Sequence, residues 1–173
     1  MPAPLKFGAR ARRLLRHLCS TALHGRRLFA PPTLAAMTAA ITAGEQRHRA
    51  QLRLIVESAQ GMGQLWRGVS NRERAVALFA QYGLWDTEEN CGVLIYVNLA
   101  ERAVDIVADR NIGRKVSSEQ WHAICRSMTE GYARGQFHDS TLAAIAQVNA
   151  ILAQHFPASG KGANELPDQA IVL

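Results

Sequence analysis

Apolar positions along the chain follow two periods, and the switches between them mark the elements. Phe7, Ala11, Leu14, Leu15, Leu18 and Ala22 recur at helical spacing, with Arg10, Arg13, Arg16, His17 and His24 on the other faces. This reads as a basic amphipathic helix whose apolar side is expected to pack on the domain or on a partner. Pro31-Pro32 stops whatever precedes it, and an Ala-rich helix is predicted from Leu34 to about His48. "QLRLIVES" then sets Leu52, Leu54 and Val56 against Arg53, Ile55 and Glu57. That period of two predicts a half-exposed strand. Gly61, Gly63 and Gly68 predict a loop. Ser70, with Glu73 three residues on, predicts a capping box ahead of a helix that uses Ala75, Val76, Leu78 and Phe79 and ends near Gly83.

"GVLIYVNLA" is a nearly continuous apolar run rich in β-branched residues, the pattern of a strand buried on both faces. Ala100-Glu101-Arg102 is a short turn and "AVDIVA" a second strand. So short a connection predicts an antiparallel hairpin. Ser117 or Ser118 caps a helix through Trp121, Ile124, Cys125, Met128 and Tyr132. Leu142, Ile145, Val148, Ile151, Leu152 and Phe156 carry a last helix, ended by Pro157. "ASGKGANELPDQ" reads as an exposed tail, with Ile171-Val172-Leu173 free to pack back. The order predicts an α/β fold in which helices surround a small mixed sheet. Residues 1–30 form a helical extension, 31–157 the domain and 158–173 the tail.

Charge changes this picture at one end only. The formal net charge is +6. Residues 1–30 hold Lys6, Arg10, Arg12, Arg13, Arg16, Arg26 and Arg27 and no acid, while residues 31–173 hold 13 basic residues against 14 acids. The domain itself is therefore near neutral, and no basic face predicts nucleic-acid binding. The basic helix, residues 5–24, has a second reading as a peripheral contact with anionic membrane, because basic residues near such a surface each contribute about 1 kcal/mol. No apolar run reaches the length of a membrane span, and no secretory signal is recognisable. Cys19, Cys91 and Cys125 are odd in number and lack CxxC spacing, which fits a reducing cytosol rather than a disulfide scaffold. The expected location is cytoplasmic, with a membrane-peripheral alternative.

Candidate chemistry gathers at the hairpin. In an antiparallel pair the start of the first strand lies beside the end of the second. Asp86, Glu88, Glu89 and Asn90 are therefore expected near Asp109 and Arg110. Carboxylates and an amide oxygen at one sheet end suit a hard cation such as calcium or magnesium. The alternative is a set of turn and cap residues neutralised by Arg110. The pattern is not an EF-hand, since Cys91 stands where that loop needs Gly and Val97 where it needs Glu. A Walker A reading of Gly63 to Ser70 lacks its Lys. Asp-x-Asp, a Cys with Arg six residues on, and a second ligand for His122 or His155 are all absent. Phospho-aspartate, cysteine-phosphatase and zinc chemistry are accordingly not expected.

"NCGVLIYVNLAERAVDIVADRNI", followed by "WHAICRSMTEGYARGQFHDSTLAAIAQVNAIL", resembles the TPM-domain family over roughly residues 33–156. That family includes a thylakoid-lumen acid phosphatase and a nematode receptor accessory protein, and this chain is similar to a short bacterial subgroup. The resemblance implies an α/β/α sandwich with a central mixed sheet and a cleft at the acidic end of the hairpin. It also implies calcium-type binding there, with Asp86, Asn90, Asp109 and Arg110 matching by motif and Glu88 and Glu89 assisting. The chain departs from the pattern at Cys91, where the family often has a second Asn. The leading expectation is a binding or accessory module with a divalent-cation site, an unidentified protein partner and no organic cofactor, Arg110 meeting an anionic group. A metal-assisted acid phosphatase using the same site is the alternative, and a membrane-peripheral scaffold led by the basic helix is the third.

Overall fold

Strand pairing explains the apolar runs. The computed structural model describes residues 7–20, 25, 27–158 and 166–173. Ala22 and His24 of the predicted first helix, and residues 159–165 of the predicted tail, lie outside these. Strands β1 (Gln51–Glu57), β2 (Gly92–Asn98), β3 (Ala103–Ala108) and β4 (Ile171–Val172) form a sheet in the order β3-β2-β1-β4. β2 and β3 are the expected antiparallel hairpin, registered from Val93 opposite Ala108 to Asn98 opposite Ala103. β1 runs parallel to β2, with Gln51 opposite Gly92 and Glu57 opposite Asn98. β4 runs parallel to the other edge of β1.

The helices are α1 (Phe7–Cys19), α2 (Pro31–Glu45), α3 (Met62–Trp66), α4 (Asn71–Gln81), α5 (Arg110–Gly113), α6 (Ser118–Ala133) and α7 (Phe137–His155). Pro31 and Pro32 open α2, where a missing N–H costs nothing. Ser70 and Glu73 close the predicted box at α4, and Ser117, not Ser118, caps α6. The loop predicted around Gly63 contains the short α3. One apolar layer joins Leu52, Leu54, Val56, Val93, Ile95 and Val97 to α2, α6 and α7. A second, on the opposite face, joins Ile55, Leu94, Tyr96 and Val107 to Ala75, Leu78 and Phe79 of α4. The fold is the expected α/β/α sandwich.

Three expectations are corrected. All seven residues of β1 are buried, although their alternation predicts a half-exposed strand. β1 is an inner strand with helices on both sides, and its charged residues are buried with partners. The Glu57 carboxylate accepts from Arg74 Nη2 at 2.7 Å, from Arg74 Nε at 3.1 Å and from the Tyr96 hydroxyl at 2.6 Å. Arg53 lies 5.4 Å over the Tyr82 ring and donates to the Pro167 carbonyl. The second correction concerns the tail. Ile171-Val172 pack back on β1 as the sequence allowed, and the stretch before them, expected to be exposed, is tied as well: Leu166 N donates to Gln51 Oε1 at 3.1 Å and Ala170 N to Thr38 Oγ1 at 3.2 Å.

Helix α1 is inverted relative to its predicted amphipathicity. Among its described side chains Arg13 and His17 are buried and Leu14 is half-buried, whereas Leu15 and Leu18 are 59% and 61% exposed. The reason is a polar socket at the carboxyl ends of β1 and β2. Arg13 donates to the Glu101 carboxylate, to Gln60 Oε1 at 3.1 Å and to the Val69 carbonyl at 2.7 Å. His17 Nδ1 accepts from Gln60 N at 3.0 Å, which leaves Nε2 to donate to Glu101 Oε1 at 2.9 Å. Asn71 completes the set through Glu101 Oε2 at 2.7 Å. Burial alone would push the Glu101 carboxyl up, but hydrogen bonds from His17 and Arg13 outweigh it and hold it below the usual range.

Arg74→Ala is expected to leave the Glu57 charge buried and under-paired and to cost about 3–5 kcal/mol, against about 1–2 kcal/mol for Tyr96→Phe. Urea unfolding of the two variants measures both. A further expectation follows from Glu45, which accepts from Leu52 N at 2.6 Å and whose Oε2 is buried. Burial, partly offset by that bond and reinforced by nearby Asp168, raises its pKa from 4.5 to about 8. Between those values the folded state binds more protons than the unfolded chain. Stability is therefore present at the acid side and declines as pH rises through the window, by at most about 1.4 kcal/mol per pH unit. Glu45→Gln should flatten that slope in unfolding measured from pH 5 to 8.

Candidate functional site

The acidic turn is built by Thr87. Asn90 N donates to the Thr87 carbonyl at 3.0 Å, and the Thr87 hydroxyl accepts from Cys91 N at 2.9 Å. Asn90 takes a left-handed backbone, φ 53°, which Asn tolerates better than most residues. The chain then enters β2 at Gly92. A Cβ there would stand 2.0 Å from the Leu84 carbonyl oxygen, so only glycine fits. From the far side of the hairpin, Asp109 N donates to the Gly92 carbonyl at 2.9 Å. Asp109 Oδ1 accepts from Arg110 N at 2.6 Å and so caps the single turn of α5.

The hairpin ends do meet. Arg110 Nη2 donates to Asn90 Oδ1 at 2.8 Å, and Asn111 N donates to the Asn90 carbonyl at 3.3 Å. Asn111 Nδ2 reaches the Glu89 carbonyl at 3.0 Å. Glu89, Asn90, Arg110, Asn111 and Arg114 line a cleft of about 380 Å³. The carboxylates, however, are dispersed. Asp86 and Glu88 are exposed on the turn. Glu89 Oε1 accepts from Arg49 Nη1 at 2.7 Å. Asp109 is buried, and among the described residues no three His, Cys, Asp or Glu side chains converge to hold a metal ion.

One atom of this region stands out. Asp109 is 7% exposed, and its Oδ2 is shut off from solvent with no hydrogen-bond partner among the described residues. Arg110 lies close, Nε to Oδ1 3.9 Å, yet its side chain is 80% exposed and approaches from outside. A buried carboxylate oxygen left bare costs about 1–3 kcal/mol or more. Cys91 is buried, donates to the Glu89 carbonyl at 3.3 Å and has its thiol pKa pushed up by burial. It is a core residue and not a nucleophile.

A family model described as the TPM domain matches residues 25–151. The chain belongs to the TPM-domain family. Among solved structures, this TPM domain is similar to the BA42 protein from the psychrophilic bacterium Bizionia argentinensis. That match has 22% identity and a TM-score of 0.72, and it covers 82% of this chain and 93% of that one. It is also similar to the N-terminal domain of a protein from P. gingivalis, at 14% identity and a TM-score of 0.61, over 75% and 81% of the two chains. At these identities the likeness is one of fold. No curated protein matches the chain.

Two residues that line the TPM-domain cleft, Arg114 and Asn111, and one that pairs with its Glu89, Arg49, were not foreseen from the sequence. Arg114 follows Arg110 by four positions, the spacing of one helical face, and "DRNIGR" carries that signal. Asn111 sits beside Arg110 and needed only the short helix α5 to be foreseen. Arg49 had no local signal, because it reaches Glu89 through the parallel pairing of β1 with β2.

Gly92→Ala is expected to force the Leu84 carbonyl or β2 to move and to destabilise the domain by about 1–3 kcal/mol. Thermal melting checks the loss. Asn90→Gly should keep the backbone but free Arg110, seen as faster motion of the Arg110 side chain by NMR relaxation.

Proposed function

We propose that this TPM domain is a binding module that takes a divalent cation of the calcium type where β2 begins and β3 ends. The observation that supports this is the bare, buried Oδ2 of Asp109. A hard cation accepts such an oxygen readily, along with amide and carbonyl oxygens and water. Asp109 would supply the anchoring carboxylate, Asn90 its amide oxygen, and Glu89, Asp86 and Glu88 of the turn further oxygens. Arg110 now holds Asn90 Oδ1, so it would turn outward on loading and offer its guanidinium to an anionic partner. The cation would supply positive charge beside a buried acid whose ion-pair partner among the described residues, Arg110, is itself exposed.

Asp109→Asn preserves the helix cap, because Asn caps as well as Asp, and removes the charge. Calcium or magnesium is expected to shift the backbone amides of residues 86–92 and 108–114 saturably in the native chain and not in this variant. Absence of shifts at millimolar metal, or equal shifts in the variant, would reject the reading.

A second reading, metal-assisted hydrolysis of a phosphate monoester, is favoured by Arg110 and Arg114 lining the same cleft, since guanidinium groups hold phosphate oxygens in pairs. In that case p-nitrophenyl phosphate is turned over, the turnover is abolished by chelator and by Arg110→Ala, and Asp109→Asn removes it together with metal binding. Cation binding without turnover leaves the binding module alone.

A further inference from the structure

Helix α1 is fixed from its polar side, and its apolar side is left in solvent. Ala11, Leu15 and Leu18 are exposed and lie at positions i, i+4 and i+7, one stripe along the helix. Arg12 and Arg16 run along one side of this stripe, are exposed, and take part in no ion pair among the described residues. The inward face does not compete for the leucines, because Arg13 and His17 are already held by Glu101, Gln60 and Val69. No acidic residue lies in the first 30 positions. No helix among the described residues is long and apolar enough to cross a membrane.

From this geometry we infer that the outer face of α1 is a docking surface for an anionic lipid membrane. The helix lies flat, Leu15 and Leu18 enter the acyl boundary, and Arg12 and Arg16 meet the lipid phosphates. Charge complementarity selects this occupant. An apolar stripe bordered by unpaired arginines matches a surface that is apolar within and negative at its rim. A protein groove would need its own acids in register with both arginines. The Arg13 and His17 anchor gives the surface its orientation: α1 is bound to the domain by polar contacts that lipid does not disturb. The TPM domain is thereby carried on the membrane with its β1 and β2 carboxyl ends facing it.

Co-sedimentation of the full chain with vesicles tests this. The chain is expected to partition onto phosphatidylglycerol vesicles at low salt, to be released at high salt, and to ignore phosphatidylcholine vesicles. Leu15→Ser/Leu18→Ser should abolish most of the binding, and Arg12→Glu/Arg16→Glu should lower it by at least about tenfold, since each basic residue near the surface is worth about fivefold. All four side chains are exposed, so circular dichroism and melting temperature should stay unchanged and show that the fold survives. Three results overturn the inference. They are no binding to anionic vesicles, binding that persists in the leucine variant, and a dimer in sedimentation velocity that the leucine variant dissolves.

Discussion

The double pairing of β2 is the constraint on which the rest of the structure depends. It is held parallel to β1 on one side and antiparallel to β3 on the other, and all seven of its residues are buried. β2 carries no charged side chain along its length, and the charged and amide groups around it collect at its two ends. Where β2 begins, Asn90, Asp109 and Arg110 gather. Where it ends, Asn98, Glu101 and Asn71 gather. The two clusters are separated by apolar strand and are tied to different elements.

The ends differ in how completely they are satisfied. At the far end the Glu101 carboxylate is fully partnered: Arg13 and His17 donate to it from α1 and Asn71 Nδ2 at 2.7 Å, while Asn98 Nδ2 donates to Asn71 Oδ1 at 2.8 Å and Glu101 N to Asn98 Oδ1 at 3.2 Å. At the near end Asp109 keeps a bare oxygen and Arg110 stands in water. Buried polar networks rigidify when complete. The first cluster is accordingly a fastening, and the second keeps a buried acceptor without a donor. The same logic covers β1, where Glu57 and Arg53 are tolerated inside because Arg74, Tyr96 and Tyr82 reach them.

The hairpin, the capping boxes and the continuous core of β2 were legible in the chain because each rests on local rules. Turn length sets strand direction, Ser and Glu at a spacing of three set a helix start, and an unbroken apolar run sets two-sided burial. The partners of β1 were not legible, because parallel pairing leaves no short-range mark. Arg53 and Glu57 look like a solvent face until Pro167 and Arg74 are brought to them from far along the chain. Helix α1 misled for a related reason. Its periodicity is real, but periodicity shows which residues share a face and not which face turns inward, and the Glu101 socket decided that. At the candidate site the meeting of Asn90 with Arg110 followed from the hairpin, whereas Arg49 on Glu89 followed only from the parallel neighbour.

The short β4 has a consequence during synthesis. Its two residues close the outer edge of β1, yet β1 leaves the ribosome long before β4. Through that interval an inner strand with an apolar face stands with one edge unpaired, and such edges recruit other chains. Contacts between distant segments also form slowly. The docked tail therefore acts as a late seal, and a nascent chain stalled before Ile171 should be the form most prone to aggregate.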